Sequence, residues 1–521
     1  MDSTLVTLFA MLALLELNAS RVWGFVAAIA LAAVYVFLFY RFTKDGKAIV
    51  RIACWAGWAL LFVCLMFLAW PKTKPVSAVN AKSPVKTETV LTEKGPVRGV
   101  VTENGRVEVF AGIPYAKPPV GELRWKEPQE PDAWTEVLEA DTFAPMSMQP
   151  TDIPLTGTLK QIIGYHDYKL TFKDNFVPPV SEDSLYVNVW RPKDAGDEPL
   201  PVLVYIHGGS LKTGQPWYGD YSGEGLAEKG VIVVNLGYRL GVFGFLASEE
   251  LRDESANDTT GNYGLLDQIM ALEWVKANIA AFGGDPGNVT VSGESAGSAC
   301  VSALCASPLA KGLFQRAILE SSTVVSHEPP HSYRSFDKAL ESGKELMERY
   351  GAKSMEELRA IPADKLVKEA ETQHEMTVDG YVLAEDPYYS YLKGEYNETA
   401  MLHGYNSEES GPFIILQHAN RKNYEEKVRG AFEEYADEVL KLYSPKTDEE
   451  ADKYRAAIWG AVFFDYPHYR LNRLAAENGI PVYEYRFTKQ KRQARPLAQR
   501  RADLFLRQPA RGIEALRRPG L

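Results

Sequence analysis

Residues 22–40 and 52–70 are apolar and uncharged throughout, 19 positions each. About 20 apolar residues in a helix cross the hydrocarbon core of a bilayer, so the pattern predicts two transmembrane helices. A shorter apolar run over 5–15 lies within a weaker third candidate span, 4–18. It is followed by Glu16 and preceded by Asp2, without the basic start of a signal peptide. Arg41, Lys44, Lys47 and Arg51 crowd the loop between the two strong spans. Basic loops stay in the cytoplasm, which predicts an extracytoplasmic location for the chain after residue 70. Lys72, Lys74, Lys82 and Lys86 pull the other way. Residues 71–87, with Pro71, Pro75 and Pro84, read as an extended tether after the membrane region 1–70.

From residue 88 the pattern becomes that of a globular domain, continuing to 488. Asn104-Gly105 sits between β-type residues over 97–109 and predicts a hairpin. The runs 201–206 and 231–236 are continuously apolar, as strands buried on both faces are. Helical periodicity covers 265–281, 335–350, 425–442 and 451–459, and 481–487 reads as a late strand. This alternation predicts an α/β fold, a central, mostly parallel sheet with helices on both faces. Residues 145–181 lack a period and read equally as a lid over a cleft or as a surface excursion.

The chain has 521 residues, 46% of them hydrophobic, enough for a substantial core. Its net charge of −11 argues against a nucleic-acid partner. The four cysteines, Cys54, Cys64, Cys300 and Cys305, show no metal spacing and read as buried free thiols. No metal or organic cofactor is expected.

The chemistry concentrates at Gly293-Glu294-Ser295-Ala296-Gly297. A β-type run, 288–292, precedes it and a small-residue helix, 298–304, follows. Strand, Gly-x-Ser-x-Gly and helix in that order predict a nucleophile elbow, with the Ser295 hydroxyl at a helix N-terminus. The apolar run 201–206 ends at His207-Gly208-Gly209-Ser210. The amides of Gly208, Gly209 and Ala296 are candidates for an oxyanion hole around an acyl intermediate on Ser295.

At this point the chain resembles the type-B carboxylesterases, the cholinesterase-like branch of the α/β-hydrolase fold, and especially bacterial para-nitrobenzyl-esterase-like members. The matching text includes Phe110-Ala111-Gly112-Ile113-Pro114-Tyr115-Ala116, Leu123-Arg124-Trp125 and Glu182-Asp183-Ser184-Leu185-Tyr186-Val187-Asn188. It continues through Asn235-Leu236-Gly237-Tyr238-Arg239, Gly261-Asn262-Tyr263-Gly264 and Phe282-Gly283-Gly284-Asp285-Pro286. Ser184 departs from the family, many of whose members carry a disulfide cysteine there. The resemblance implies a Ser, Glu or Asp, His triad and a small-molecule carboxylic ester as substrate. It places the acid in the turn Gly404-Tyr405-Asn406-Ser407-Glu408-Glu409-Ser410, at Glu409, with Glu408 as a solvated neighbour.

The family's histidine belongs after the strand 481–487, where this chain has none. Its eight histidines are His166, His207, His327, His331, His374, His403, His418 and His468. His418 and His468 are the candidate substitute bases, but neither has the right chain position, and a structural or surface residue is the better reading of both. Residues 489–521 instead hold ten Lys or Arg and two acids, a net +8 that leaves −19 on the preceding 488 residues. Reading synonymous codons for this tail one nucleotide later permits Gly-Pro-Trp-His-Ser-Gly-Glu-Leu, the kind of text this family has around its catalytic histidine. The lost histidine would straddle the codons of Ala498 and Gln499. We therefore read the tail as an aberrant, out-of-frame segment beginning near Lys489.

The expectation is a membrane-tethered serine esterase, crippled in this chain by loss of the histidine. The alternative is a non-catalytic, membrane-anchored cholinesterase-like binding protein.

Overall fold

A computed structural model describes residues 2–18, 20–39, 41, 48–151, 176–217, 219–325, 333–369, 375–411 and 418–488. Much of the aperiodic excursion and all of the basic tail therefore lie outside the described residues. The chain divides into two compact units, one of residues 1–76 with 150–179 and the other of 77–149 with 180–521.

The first unit is built on three helices: α1 (Asp2–Leu17), α2 (Val22–Leu38) and α3 (Ala48–Leu68). Met11, Leu15, Ala28, Ala32, Trp58, Phe62 and Met66 form their common core. Val26, Ile29, Phe37, Ile52, Trp55, Leu60 and Phe67 point outward, exposed. Among the described residues α3 alone is long and apolar enough to cross a membrane, with 21 residues and a mean hydropathy of 2.1. The weak candidate 4–18 falls largely in α1, of 16 residues, and the candidate 22–40 largely in α2, of 17, both shorter than the 21 residues of α3. Cys54 and Cys64 are free but exposed on α3, which corrects the expectation that all four thiols are buried. They lie on an outward face of that helix, whereas Cys300 and Cys305 are buried.

The second unit carries an eleven-stranded sheet. Its main strands are β1 (Lys86–Leu91), β2 (Pro96–Val101), β3 (Val107–Pro114), β4 (Tyr186–Pro192) and β5 (Leu200–Ile206). They continue with β6 (Ile232–Leu236), β7 (Gly284–Glu294), β8 (Arg316–Glu320), β9 (Ala400–Asn406) and β10 (Val482–Phe487). Spatial order is β10-β9-β8-β7-β5-β6-β4-β3-β2-β1, with Leu138–Glu139 beside β2. Pairing is parallel from β6 through β10 and antiparallel from β1 through β4 to β6. The Asn104-Gly105 hairpin is the β2–β3 connection, with Gly105 at φ 73°. Val202, Val204, Val289, Val291, Ala317 and Leu319 face a core that includes Leu265 and Leu272 of α4 (Tyr263–Asn278) and Cys300 and Val301 of α5 (Ala296–Ala306). Leu471 and Leu474 of α6 (Tyr466–Glu477) join the same core. Trp190, Val233 and Val109 face a second cluster with Ala227 of the short helix Glu224–Ala227. Burial on both faces is why β5 and β6 read as unbroken apolar runs.

The predicted helix 425–442 is two helices, Arg421–Phe432 and Ala436–Leu442. The chain turns at Glu433, at φ 43°. The bend lets Val428 and Ala436 both pack with Ala451, a tertiary contact that periodicity does not encode. Ser184, where the family often has cysteine, is buried with its Oγ 2.9 Å from Ser147 Oγ. This hydrogen bond joins residues 37 positions apart at the base of the aperiodic excursion.

Candidate active site

β7 ends at Glu294 and α5 begins at Ala296, leaving Ser295 alone in the turn with φ 56° and ψ −126°. A non-glycine residue there is strained, and the surroundings must hold it. The Ser295 N–H donates to Glu320 O at 2.8 Å, and its C=O accepts from Ala299 N at 3.0 Å. The flanking glycines are steric necessities. A Cβ on Gly293 would lie 2.4 Å from the Gly297 carbonyl carbon, and one on Gly297 would lie 2.1 Å from Ile206 O. Ser295 is only partly buried.

The glycine loop after β5 reaches this turn because β5 and β7 are parallel neighbours, with Ile206 opposite Gly293. A Cβ on Gly208 would lie 3.1 Å from Ser295 Cβ and 2.4 Å from Glu294 O. Gly209 has φ 115°, where a side chain would strike Thr213 O at 2.1 Å. Both positions therefore need glycine, and Gly208 lies beside Ser295. His207 underpins the loop. Its Nδ1 is 2.9 Å from Gly208 O and its ring stacks on Tyr238 at 4.6 Å.

The turn after β9 separates the two candidate acids. Glu409 is buried and Glu408 is exposed. Glu409 Oε1 accepts from Ser321 Oγ and from Asn406 N, each at 2.6 Å. Ser321 follows β8 directly, next to Glu320, whose carbonyl holds Ser295. The acid is thus tied to the strand end that fixes the nucleophile. Ser321 itself has φ 60° and donates its N–H to Gly404 O at 2.8 Å. Sequence reasoning missed Ser321, since nothing in Glu320-Ser321-Ser322 marks one serine as a carboxylate's partner.

Each described histidine has a structural engagement of its own. His403 on β9 and His468 on α6 are fully buried, with Nδ1 atoms 3.0 Å apart and rings stacked at 5.2 Å. His418 is exposed, 3.1 Å from Asp452. His166, His327, His331 and His374 lie outside the described residues. The structure places His468 in the core and His418 at the surface.

Burial pushes His207 down to about 4 and His403 down to about 3, from an ordinary 6.5. Both are neutral in the fold, so the stability they permit is complete above pH 6.5 and is lost as pH falls toward those values. At pH 5 the loss is about 2 kcal/mol for each histidine. Urea midpoints are expected to fall between pH 7.5 and pH 5, and to fall less in a His403→Gln variant. An equal fall in both proteins would contradict the assignment.

Comparison with known proteins adds a second line of observation. Residues 86–511 match the model of the carboxylesterase family. The chain is 34% identical over 410 residues to fumonisin B1 esterase of Sphingopyxis macrogoltabida, covering 76% of this chain and 70% of that one. It is 39% identical over 333 residues to para-nitrobenzyl esterase of Bacillus subtilis, covering 62% and 63%. It is 32% identical over 461 residues to carboxylesterase 1C of Rattus norvegicus, covering 83% and 78%.

Proposed function

The chain belongs to the carboxylesterase family, and from that premise we propose a carboxylic ester hydrolase that works through an acyl intermediate on Ser295. The observation that carries this reading is the Ser295 elbow at φ 56°, set against a loop where only glycine fits. The Ser295 hydroxyl attacks the ester carbonyl. The N–H groups of Gly208, Gly209 and Ala296 hold the oxyanion as the alkoxide leaves. A histidine oriented by Glu409 takes the serine proton, returns it to the leaving alcohol and then activates water for deacylation.

That histidine is lost in this chain, in our reading, with the reading frame near Lys489. The course of β10 supports where it belongs. β10 runs parallel to β9, and Phe487 O accepts from Ser407 N at 3.0 Å, two residues before Glu409. The chain leaving β10 therefore starts beside the acid, and a base supplied from that loop needs little reach. The shifted reading puts Trp-His close beyond the strand, over Leu497, Ala498 and Gln499.

We further assign the segment before residue 71 to the membrane and the esterase domain to the extracytoplasmic side. The apolar helix α3 and the basic cluster Arg41, Lys44, Lys47 and Arg51 support this assignment. The domain boundaries follow: membrane region 1–70, tether 71–87, esterase domain 88–488 and aberrant tail 489–521.

A fluorophosphonate probe tests the catalytic reading. The frame-restored protein is expected to be labelled at Ser295, and labelling is expected to vanish in Ser295→Ala. An unlabelled, folded, frame-restored protein would favour the non-catalytic binding reading. Nucleotide sequence across codon 489 that does not permit Trp-His in the shifted frame would overturn the frame argument.

A further inference from the structure

The eleven-stranded sheet ends at β10. One edge of that strand pairs with β9 over six consecutive residues, without a register shift. Among the described residues no strand pairs with its other edge. Exposed edges are ordinarily blunted by proline, lysine or a bulge, and Val482–Phe487 has none of these. Val482, Tyr483, Tyr485 and Phe487 are instead strong strand formers.

The hydrogen bonds to β9 fix which backbone groups face outward. Pro481 O accepts from Met401 N and Phe487 O from Ser407 N, so the odd-numbered residues turn toward β9. Alternate residues of a strand turn their backbone groups to opposite edges. The N–H and C=O groups of Val482, Glu484 and Arg486 therefore face the outer edge. The side chains of Glu484 and Arg486 lie on the α6 side of the sheet. Glu484 Oε2 accepts from Asn472 Nδ2 of α6 at 2.8 Å, and the Arg486 guanidinium stands 5.9 Å from the centre of the Tyr405 ring. Both residues stay exposed with these contacts made. Tyr483 and Tyr485 project to the opposite face, where Tyr485 Oη donates to Glu320 Oε1 at 3.0 Å and Tyr483 is 49% exposed.

We propose that this edge joins two copies of the chain as antiparallel strands, with Tyr485 on the two-fold axis opposite its own counterpart. Antiparallel strands exchange hydrogen bonds between residues whose backbone groups face each other, so even-numbered residues must stand opposite even-numbered ones. Among the registers that meet this rule, the one centred on Tyr485 sets Glu484 opposite Arg486 twice, once on each side of the axis. It also sets Tyr483 opposite Phe487, an aromatic pair on the other face. Centring on Glu484 would set that carboxylate against itself, and centring on Arg486 would do the same to the guanidinium. Like charges directly opposite destabilise a strand pair. Centring on Tyr483 sets Glu484 against Val482 and Arg486 against Ile480. No other centre within the strand brings opposite charges face to face. A second copy is the fitting partner because the edge carries its own complement, an acid and a base two residues apart on one face. The inference goes beyond the hydrolase reading and does not depend on it.

Light scattering on the full chain in detergent micelles tests the interface without reference to activity. The protein mass is expected at twice the 58.1 kDa of one chain. Glu484→Arg and Arg486→Glu each set like charges opposite each other. Each variant alone is expected to fall to the mass of one chain at concentrations where the parent is paired, with dimer affinity lowered about tenfold or more. Mixed in equal amounts, the two variants again have opposite charges at both positions and are expected to return to the mass of two chains. A variant carrying both reversals keeps the pairs with their charges exchanged, and is expected to pair as the parent does even where a single reversal disturbs folding. A parent protein at the mass of one chain would overturn the proposal, as would single variants that keep the parent's mass. A doubly reversed variant that stays single, or single variants that do not recombine on mixing, would overturn it as well.

Discussion

Restoring the proposed reading frame after residue 488 is expected to raise p-nitrophenyl acetate turnover by about 10⁴-fold or more over the 521-residue chain. The reason lies in what the fold already provides. Ser295 is held in its strained turn by Glu320 O, the glycine loop stands against it, and Glu409 is buried with two donors on one oxygen. In the proposed mechanism these parts stabilise charge, and none of them takes the serine proton. Triads act as a unit, so removing the base alone forfeits most of the chemical acceleration and leaves the share due to binding and the oxyanion site. Rapid turnover by the chain as it stands, abolished by Ser295→Ala, would show that another group serves as the base. The buried His403–His468 pair and the surface His418 make poor candidates, since each is engaged elsewhere.

The second large effect concerns the acid. In the frame-restored protein, Glu409→Gln is expected to lower kcat by about 10⁴-fold with little change in KM. The amide oxygen of the substituted side chain would still accept from Ser321 Oγ and Asn406 N, so the turn keeps its geometry. Only the charge that stabilises the imidazolium disappears. Glu408→Gln, one position away and exposed, is expected to leave kcat unchanged. Ser321→Ala separates positioning from charge. It removes one 2.6 Å bond to a buried carboxylate, which costs about 2 kcal/mol of stability, while the charge itself remains. Steady-state kinetics with thermal melts on the three variants checks the set. Equal losses in Glu408→Gln and Glu409→Gln would remove Glu409 from the site.

The parts of the site that were legible in the sequence are those whose requirements are local. Gly293, Ser295 and Gly297 fall within five residues because the turn itself excludes side chains, at 2.4 Å on one flank and 2.1 Å on the other. Gly208-Gly209 follows an apolar strand for the same kind of reason. Glu409 was reached through a family resemblance in its turn rather than from periodicity, and its burial beside exposed Glu408 fits that choice. The helix break at Glu433 was not legible, because the bend is set by packing onto Ala451. The exposure of Cys54 and Cys64 was not legible either, since an apolar helix does not announce which of its faces meets its neighbours.

By itself, then, the sequence determined the elbow, the glycine loop, the alternation that builds a largely parallel sheet, and the absence of a histidine after β10. Steric exclusion and apolar periodicity act over a few residues and leave their mark on a short stretch of text. Only the tertiary structure decided that Ser321 serves Glu409, 88 positions away, that His403 meets His468, and that Tyr485 reaches Glu320 across 165 positions. Those contacts depend on strand order and register, which place β8, β9 and β10 side by side. No local propensity in Glu320-Ser321 or in Tyr485 carries that information.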